Sequence, residues 1–309
     1  MFNYILKRIL LLIPILLGVS LLIFIFLYLI PGDVARMIAG PSASKEVVAS
    51  IRNEMGLNRP VIVQYLDYLT NFLTGDFGHS YQSGSAIINE IPTVFKRTIQ
   101  LTLTVQIISF VFGGIMGIIS AIWRKTILDR LIMTISVFGL SLPLFWSALV
   151  IQLIFCVYIG WLPPSGYKSG FDIYIILPTL TLVLPNIGML ARVTRSAVID
   201  VMNYDYVRTA KAKGLSNFWV ITKHIVRNAL IPMVTITGTN LSRMIGGVIM
   251  IEIIFTWPGM GKYVYDALLA KDFPALQTAT VLIATLVIII NLFVDLSYGL
   301  IDPRIRYDN

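Results

Sequence analysis

Long apolar runs alternate with short, polar and often basic connections along most of the chain. A helix that crosses a bilayer needs about 20 mostly apolar residues. Six stretches reach that length, roughly 9–30, 99–122, 131–159, 173–191, 230–254 and 277–300. The pattern predicts an all-α, polytopic membrane protein with six transmembrane helices. Pro14, Pro143, Pro178 and Pro185 fall within or beside these runs, which is tolerated where neighbouring helices satisfy the freed carbonyls. The run Ser141-Leu142-Pro143-Leu144-Phe145 interrupts the third span. It either bends the helix around a pathway or makes a packing kink.

Two spans carry small residues at four-residue spacing, which lets helix backbones approach closely. These are Gly113 and Gly117 in the second span, and Gly238, Ser242 and Gly246 in the fifth. The fifth span is also the least apolar, with Thr235, Thr237, Thr239, Asn240, Ser242 and Arg243. An arginine near the centre of a span costs about 2.5–3.5 kcal/mol on insertion scales, so Arg243 must face water or a partner. Two readings stand. Asn240 and Arg243 line a pathway and steer an anionic group, or Arg243 pairs with a carboxylate of this chain or of another subunit. In the last span Asn291, Asp295 and Tyr298 share a helix face, where Asp295 reads as a packing or gate residue.

The long segment 31–97 between the first two spans has structure of its own. Pro31-Gly32-Asp33 marks a sharp exit from the membrane. Val47 to Met55 reads as a short helix. Val61, Tyr65, Leu69 and Phe72 recur at helical spacing within 60–74, and Gly75-Asp76-Phe77-Gly78 is a turn. Leu162-Pro163-Pro164-Ser165-Gly166 is a second turn, between the third and fourth spans.

Composition agrees. Of 309 residues, 57% are hydrophobic and only 13% charged, about half the charged share of a soluble domain. Lys7-Arg8 followed by an apolar run imitates a secretory leader. The run is of span length, however, and no small-residue cleavage site follows, so it reads as a retained helix. The formal net charge of +8 reads as the flanks of membrane spans, because no basic patch is interleaved with aromatics as a nucleic-acid groove requires. With the amino terminus inside, Lys7, Arg8, Arg124, Lys125, Arg130, Arg192, Arg195 and the basic residues of 205–229 all fall on one side. The short loops opposite hold only Lys168, Lys262 and Lys271. The asymmetry places both termini in the cytoplasm and 31–97 outside.

The single cysteine, Cys156, permits no intrachain disulfide, and His79 and His224 are far apart, so no metal site is expected. Neither a phosphate-binding G-x-x-x-x-G-K-[ST] loop nor a hydrolase signature is present. Pro258-Gly259-Met260-Gly261-Lys262-Tyr263 lacks both the first glycine and the hydroxyl. The chain is therefore not expected to be an enzyme, and no cofactor is expected on it. A transport role needs energy from elsewhere. An ion-gradient carrier would need paired intramembrane carboxylates and two matching halves, which this sequence does not offer.

The longest basic island of the second half, Asp205 to Pro232, begins as a short helix that Asn203 or Asp205 can cap. Tyr206, Val207 and Ala210 fall on one face, with Arg208 and Lys211 turned away. Gly214 stands where a left-handed stop needs no Cβ. The small residues Ala210, Ala212 and Gly214 would let the helix lie close inside a partner's groove. Read from the residues alone, the island is either such a docking element or a basic connection lying on anionic lipid.

Thr209 to Gly214 (TAKAKG), His224, Arg227-Asn228-Ala229 and Pro232 resemble the cytoplasmic "EAA" loop of permease subunits in bacterial ABC importers. Arg208-Thr209-Ala210 stands where Glu-Ala-Ala stands elsewhere, as is usual in the dipeptide, oligopeptide and nickel branch. GLNRP at 56–60, Gln64-Tyr65, GDFGHS at 75–80, the 162–166 turn and EIIFTWPGMG at 252–261 resemble the B-type subunit of that branch in the same order. The resemblance implies a type I (MetI-like) importer permease fold. It implies one part at 1–97, a first helix with an external segment near the binding protein, and a transmembrane domain at 98–309. The loop 192–229 then couples to an ATPase through Tyr206, Ala210, Lys211, Ala212, Lys213, Gly214 and Leu215. It implies as partners a second, homologous permease subunit, two ATP-binding subunits that hold the ATP, and an extracytoplasmic substrate-binding protein. The bacterial inner membrane follows as the location, and peptides, or nickel or a metal chelate, as the cargo.

Overall fold

The computed structural model describes residues 2–29, 33–40 and 42–301, and the side chains of 2–9, 34, 37, 38 and 295–301 are outside the description. The Pro31-Gly32 exit and the Asp295 and Tyr298 side chains therefore lie outside the described residues. All regular elements among them are helices. In chain order these are α1 (Phe2–Leu29), α2 (Val34–Ala39), α3 (Lys45–Glu54), α4 (Val61–Thr74), α5 (Ile87–Ile122), α6 (Ile127–Ser141), α7 (Leu144–Gln152) and α8 (Ile176–Met202). They continue with α9 (Asp205–Ala212), α10 (Asn217–Trp219), α11 (Arg227–Ile254), α12 (Met260–Ala270) and α13 (Phe273–Ile301).

Five helical runs are long and apolar enough to cross a membrane: 10–29, 87–122, 173–202, 217–254 and 273–294. Pro143 breaks the expected third span into α6 and α7, bent by 104°. The described residues therefore hold five such runs, or six if the bent pair crosses as one. The cause is local. Pro143 cannot donate to the α6 ladder, and the residue before a proline is driven to extended backbone, as Leu142 is at φ −80°, ψ 133°.

Residue contacts divide the chain into two units, Met1–Phe95 with Tyr263–Ile288, and Lys96–Lys262 with Ile289–Asn309. The first unit thus takes in a stretch that sequence alone leaves with the later helices. Within it, α4 lies along α1. The Ser20 and Tyr65 hydroxyls are 2.9 Å apart, and the Phe24 and Tyr65 rings meet edge-on at 5.4 Å. The buried carboxylate of Asp272 accepts from Ser80 Oγ at 2.5 Å, the Gln82 amide at 3.1 Å and the Ala275 amide at 3.3 Å. One side chain thereby ties the 80–82 turn to the start of α13. Glu90 accepts from Ser83, Ser85 and the Tyr263 hydroxyl.

In the second unit α8 is the central helix, packed against α6, α7 and α11. The small-residue face of α5 meets it as expected. A Cβ built on Gly117 falls 2.5 Å from Thr194 Cβ and 2.6 Å from the Ala191 carbonyl. On α11, Gly238 faces Val294 and Ser242 donates to Asn291 Oδ1 at 2.7 Å, whereas Gly246 has open space around it. The close approach of α11 thus covers two of the three small positions. One apolar core gathers Leu101, Val105, Ile151, Leu177, Leu182, Val248 and Trp257, and a second gathers residues beneath α9.

Candidate functional site

The basic island folds as an amphipathic helix resting on its own subunit. Val207 and Ala210 are buried and pack with Ala121, Val198, Val201, Val220, Ile225 and Ala229. This corrects two expectations. Ala210 serves from beneath rather than as a surface for a partner, because the apolar stripe of so short a helix is needed to hold it down. Neither Asn203 nor Asp205 caps the helix. The N-cap is Tyr204, which makes no side-chain capping bond, and the Asn203 amide donates to the Ile199 carbonyl at 3.0 Å.

The far end behaves as its glycine predicts. Gly214 sits at φ +76°. Its amide donates to Lys211 O at 3.0 Å, and the Leu215 amide donates to Ala210 O at 3.4 Å, the two bonds of a Schellman stop. Tyr206, Lys211, Ala212, Lys213, Gly214 and Leu215 are all exposed. Tyr204, Phe218 and Trp219 add uncovered aromatic surface at 54%, 69% and 57% exposure. The Tyr206 hydroxyl accepts from Asn228 Nδ2 at 3.0 Å, joining α9 to α11. Partial burial raises the Tyr206 phenol above its ordinary pKa, so it stays a neutral hydrogen-bonding group at physiological pH. Trp219 leads into a π-helical stretch, Val220–Val226, which runs on into α11.

Two polar nodes lie near this surface and at the opposite end of α11; the sequence marked 252–261 as a motif, but in neither node did it show the pairing. Arg195 on α8 grips Asp129 on α6 with both prongs, Nε to Oδ1 at 2.7 Å and Nη2 to Oδ2 at 2.9 Å. Asp129 is 4% exposed and also accepts from Ser120 Oγ at 2.5 Å and the Lys125 amide at 2.9 Å. Thr126 before the helix and Asp129 three residues on were the only local trace of this node. At the other end of α11, the buried Glu252 accepts from Thr98 Oγ1 at 2.5 Å, the Gly261 amide at 2.6 Å and the Lys262 amide at 3.2 Å. Thr98 Oγ1 in turn accepts from the Met260 amide at 2.7 Å, and Trp257 Nε1 donates to the Arg97 carbonyl at 3.2 Å. A Cβ on Gly259 would collide with the Glu252 carboxylate.

The structure separates the two polar residues of α11 that the sequence grouped. Asn240 is buried and donates to Asn186 Oδ1, while Asn186 Nδ2 donates to the Leu182 carbonyl at 2.6 Å. Arg243, three residues on, is exposed, and no carboxylate among the described residues pairs with it. No group of three or more His, Cys, Asp or Glu side chains suited to a metal occurs among the described residues.

Long apolar helices, one pair broken at a proline, with an amphipathic helix held at the end of a span, define a multi-pass membrane protein. The chain belongs to the binding-protein-dependent transport system inner membrane component family, whose model matches residues 113–307, with the family's amino-terminal model matching 1–102. It is 45% identical over 307 residues to the glutathione transport system permease protein GsiC of Salmonella typhimurium strain LT2, spanning 99% of this chain and 100% of the relative. The GsiC protein of Escherichia coli strain K12 is 43% identical over the same shares. Among solved structures, the MetNI methionine ABC transporter in inward-facing conformations superposes with TM-score 0.57 at 18% identity, over 69% of this chain and 96% of that one. An amino acid ABC transporter with histidines gives TM-score 0.52 at 11% identity, over 66% and 90%. The last two comparisons bear on the fold alone. The chain is a permease subunit of an ABC importer, a transport subunit and not an enzyme.

Proposed function

We propose that this subunit forms half of the translocation pathway for short peptides or peptide-like molecules, beside a second, homologous permease subunit. Glutathione, for whose transport both GsiC relatives are named, is itself a tripeptide. In this reading two separate ATPase subunits dock on α9, and an extracytoplasmic binding protein delivers the cargo. The observation that carries the coupling role is the division of α9 into a buried inner face and a bare outer face ending in the Gly214 stop. Uptake by proteoliposomes holding the reconstituted subunits and the binding protein tests it. Gly214→Val is expected to cut ATPase pull-down and uptake by about tenfold or more, since a β-branched residue in the left-handed region strains the stop. Membrane insertion should be unchanged. Normal pull-down and uptake would remove α9 from the coupling role.

Orientation follows from the lysine and arginine asymmetry. In a Cys156→Ser background, a cysteine replacing Ser83 is expected to label with an impermeant maleimide in intact cells, and one replacing Ser216 is not. The reverse pattern would invert the topology.

Arg243 lines the pathway, or pairs with a carboxylate of this chain or of a partner subunit; it is exposed, and no carboxylate among the described residues pairs with it. As a pathway residue it attracts the carboxylate of a passing peptide. Arg243→Gln is then expected to leave the melting temperature of the assembled complex unchanged and to slow uptake severalfold. A destabilised complex that transports at the original rate per folded molecule would make Arg243 an interface residue instead.

A further inference from the structure

The helical run 217–254 is 38 residues long, about 57 Å at 1.5 Å per residue. That is nearly twice the apolar core of a bilayer, about 30 Å, so its first part lies outside that core. Neighbouring helices set its height. The apolar run of α5 ends at Ile122 and gives way to Trp123, Arg124 and Lys125, all exposed, the aromatic-to-basic change of a membrane boundary. Ala121, just before that boundary, shares one buried cluster with Val220, Ile225 and Ala229. A Cβ on Gly114 would fall 2.7 Å from the Met233 methyl, so α11 enters the bundle along the same stretch of α5. The segment 216–227 therefore stands at the level of the bilayer surface, next to α9 in sequence but outside it.

Its outward side combines two kinds of side chain. Phe218 and Trp219 are largely uncovered, with their rings edge-on at 6.4 Å. Lys223 and Arg227 follow on the next turns and are exposed, while Val220, Ile225 and Ala229 are buried and fix the inner side. No acidic residue occurs between Asp205 and Glu252, and among the described residues no carboxylate pairs with Lys223 or Arg227. A protein partner's footprint is enriched in aromatic residues but depleted in lysine. Aromatic rings beside uncompensated lysine and arginine, at the height of the headgroups, instead match a layer of anionic lipid. We propose that 216–227 is a lipid-docking surface: Phe218 and Trp219 enter the headgroup boundary, and Lys223 and Arg227 bind the phosphates of anionic phospholipid. Val220 and Ile225 also belong to the apolar bed of α9, so lipid held here fixes that bed at the bilayer. The inference does not depend on what docks on α9 itself.

The test places the full-length chain in phosphatidylcholine nanodiscs with increasing fractions of either phosphatidylglycerol or phosphatidylcholine brominated near the headgroup end of its acyl chains. Bromine quenches a tryptophan only at close contact, and the difference between the original chain and Trp219→Phe isolates Trp219 from the other tryptophans. Trp219 is expected to be quenched by both lipids, with about tenfold less phosphatidylglycerol needed for half of the effect, since two basic side chains meet the anionic headgroup. Lys223→Gln combined with Arg227→Gln is expected to erase that preference. Arg208→Gln combined with Lys211→Gln removes the same charge from α9 and is expected to leave it intact. All four side chains are exposed, so each variant should melt like the original. The proposal is overturned if neither lipid quenches Trp219, if both quench it equally, or if the α9 pair erases the preference as fully as the 223 and 227 pair. Quenching of Trp219 that disappears when ATPase subunits bind would assign the segment to a protein interface and overturn it as well.

Discussion

Asp129→Ala is expected to lower the stability of the folded subunit by about 3 kcal/mol or more, with a large loss of protein recovered from the membrane. The substitution leaves the Arg195 guanidinium, 26% exposed, without its carboxylate, and strips the Ser120 hydroxyl and the Lys125 amide of their acceptor. Breaking a buried ion pair on one side costs about 3–5 kcal/mol, and the partial exposure of Arg195 argues for the lower end. Thermal unfolding of the purified chain in detergent measures it. The double variant Asp129→Leu with Arg195→Met is expected to recover much of the loss, because no uncompensated charge then remains in the bundle. If the single and double variants are equally unstable, the pair is not what holds α6 to α8. Because α8 also carries part of the apolar bed of α9, the single variant should also loosen α9 in whatever protein survives and, on the function proposed above, weaken ATPase docking.

Glu252→Ala is expected to have an effect of similar size at the other end of the second unit. Its carboxylate is the shared acceptor for Thr98 Oγ1 and the amides of Gly261 and Lys262, and it is fully buried. Alanine leaves three donors unsatisfied at about 1–3 kcal/mol each at most, with partial relief from rearrangement. Glu252→Gln is expected to be milder but still unfavourable. Its amide nitrogen must face either the two backbone donors or a Thr98 oxygen that already accepts from Met260. Thr98→Val should cost about 1–3 kcal/mol, since it removes a single hydroxyl from the same node. Wild-type melting of Glu252→Ala would show that the 252–261 turn is held by Trp257 and the packing of Gly259 and Gly261 alone.

Much of the architecture was legible because bilayer length and helix period act locally. The apolar runs set five of the spans, and the helices expected at 47–55 and 60–74 formed as Lys45–Glu54 and Val61–Thr74. Gly113 and Gly117 met a neighbouring helix as small residues in a span should. Pro143 announced the interruption, and the local restriction it imposes on Leu142 breaks the run there; that α6 and α7 both pack on α8 was not legible. On α9 the exposure of Arg208 and Lys211 and the Gly214 stop followed from pattern. The burial of Ala210 did not, because the sequence shows an apolar face without showing what it lies on.

What the sequence by itself determined is that this is a polytopic helical membrane protein, the rough position of five of its long apolar helices, and the basic island with its glycine stop. Each rests on hydrophobicity, charge or backbone restriction within a few consecutive residues. The tertiary structure alone decided which polar residues act together. Asp129 and Arg195 are 66 positions apart, Thr98 and Glu252 154, and Ser80 and Asp272 192, so no local period links them. It also parted Asn240 from Arg243. Three residues along a helix turn a side chain by about 60° from its predecessor's direction. On α11 that rotation separates a side chain sealed against Asn186 from one open to its surroundings.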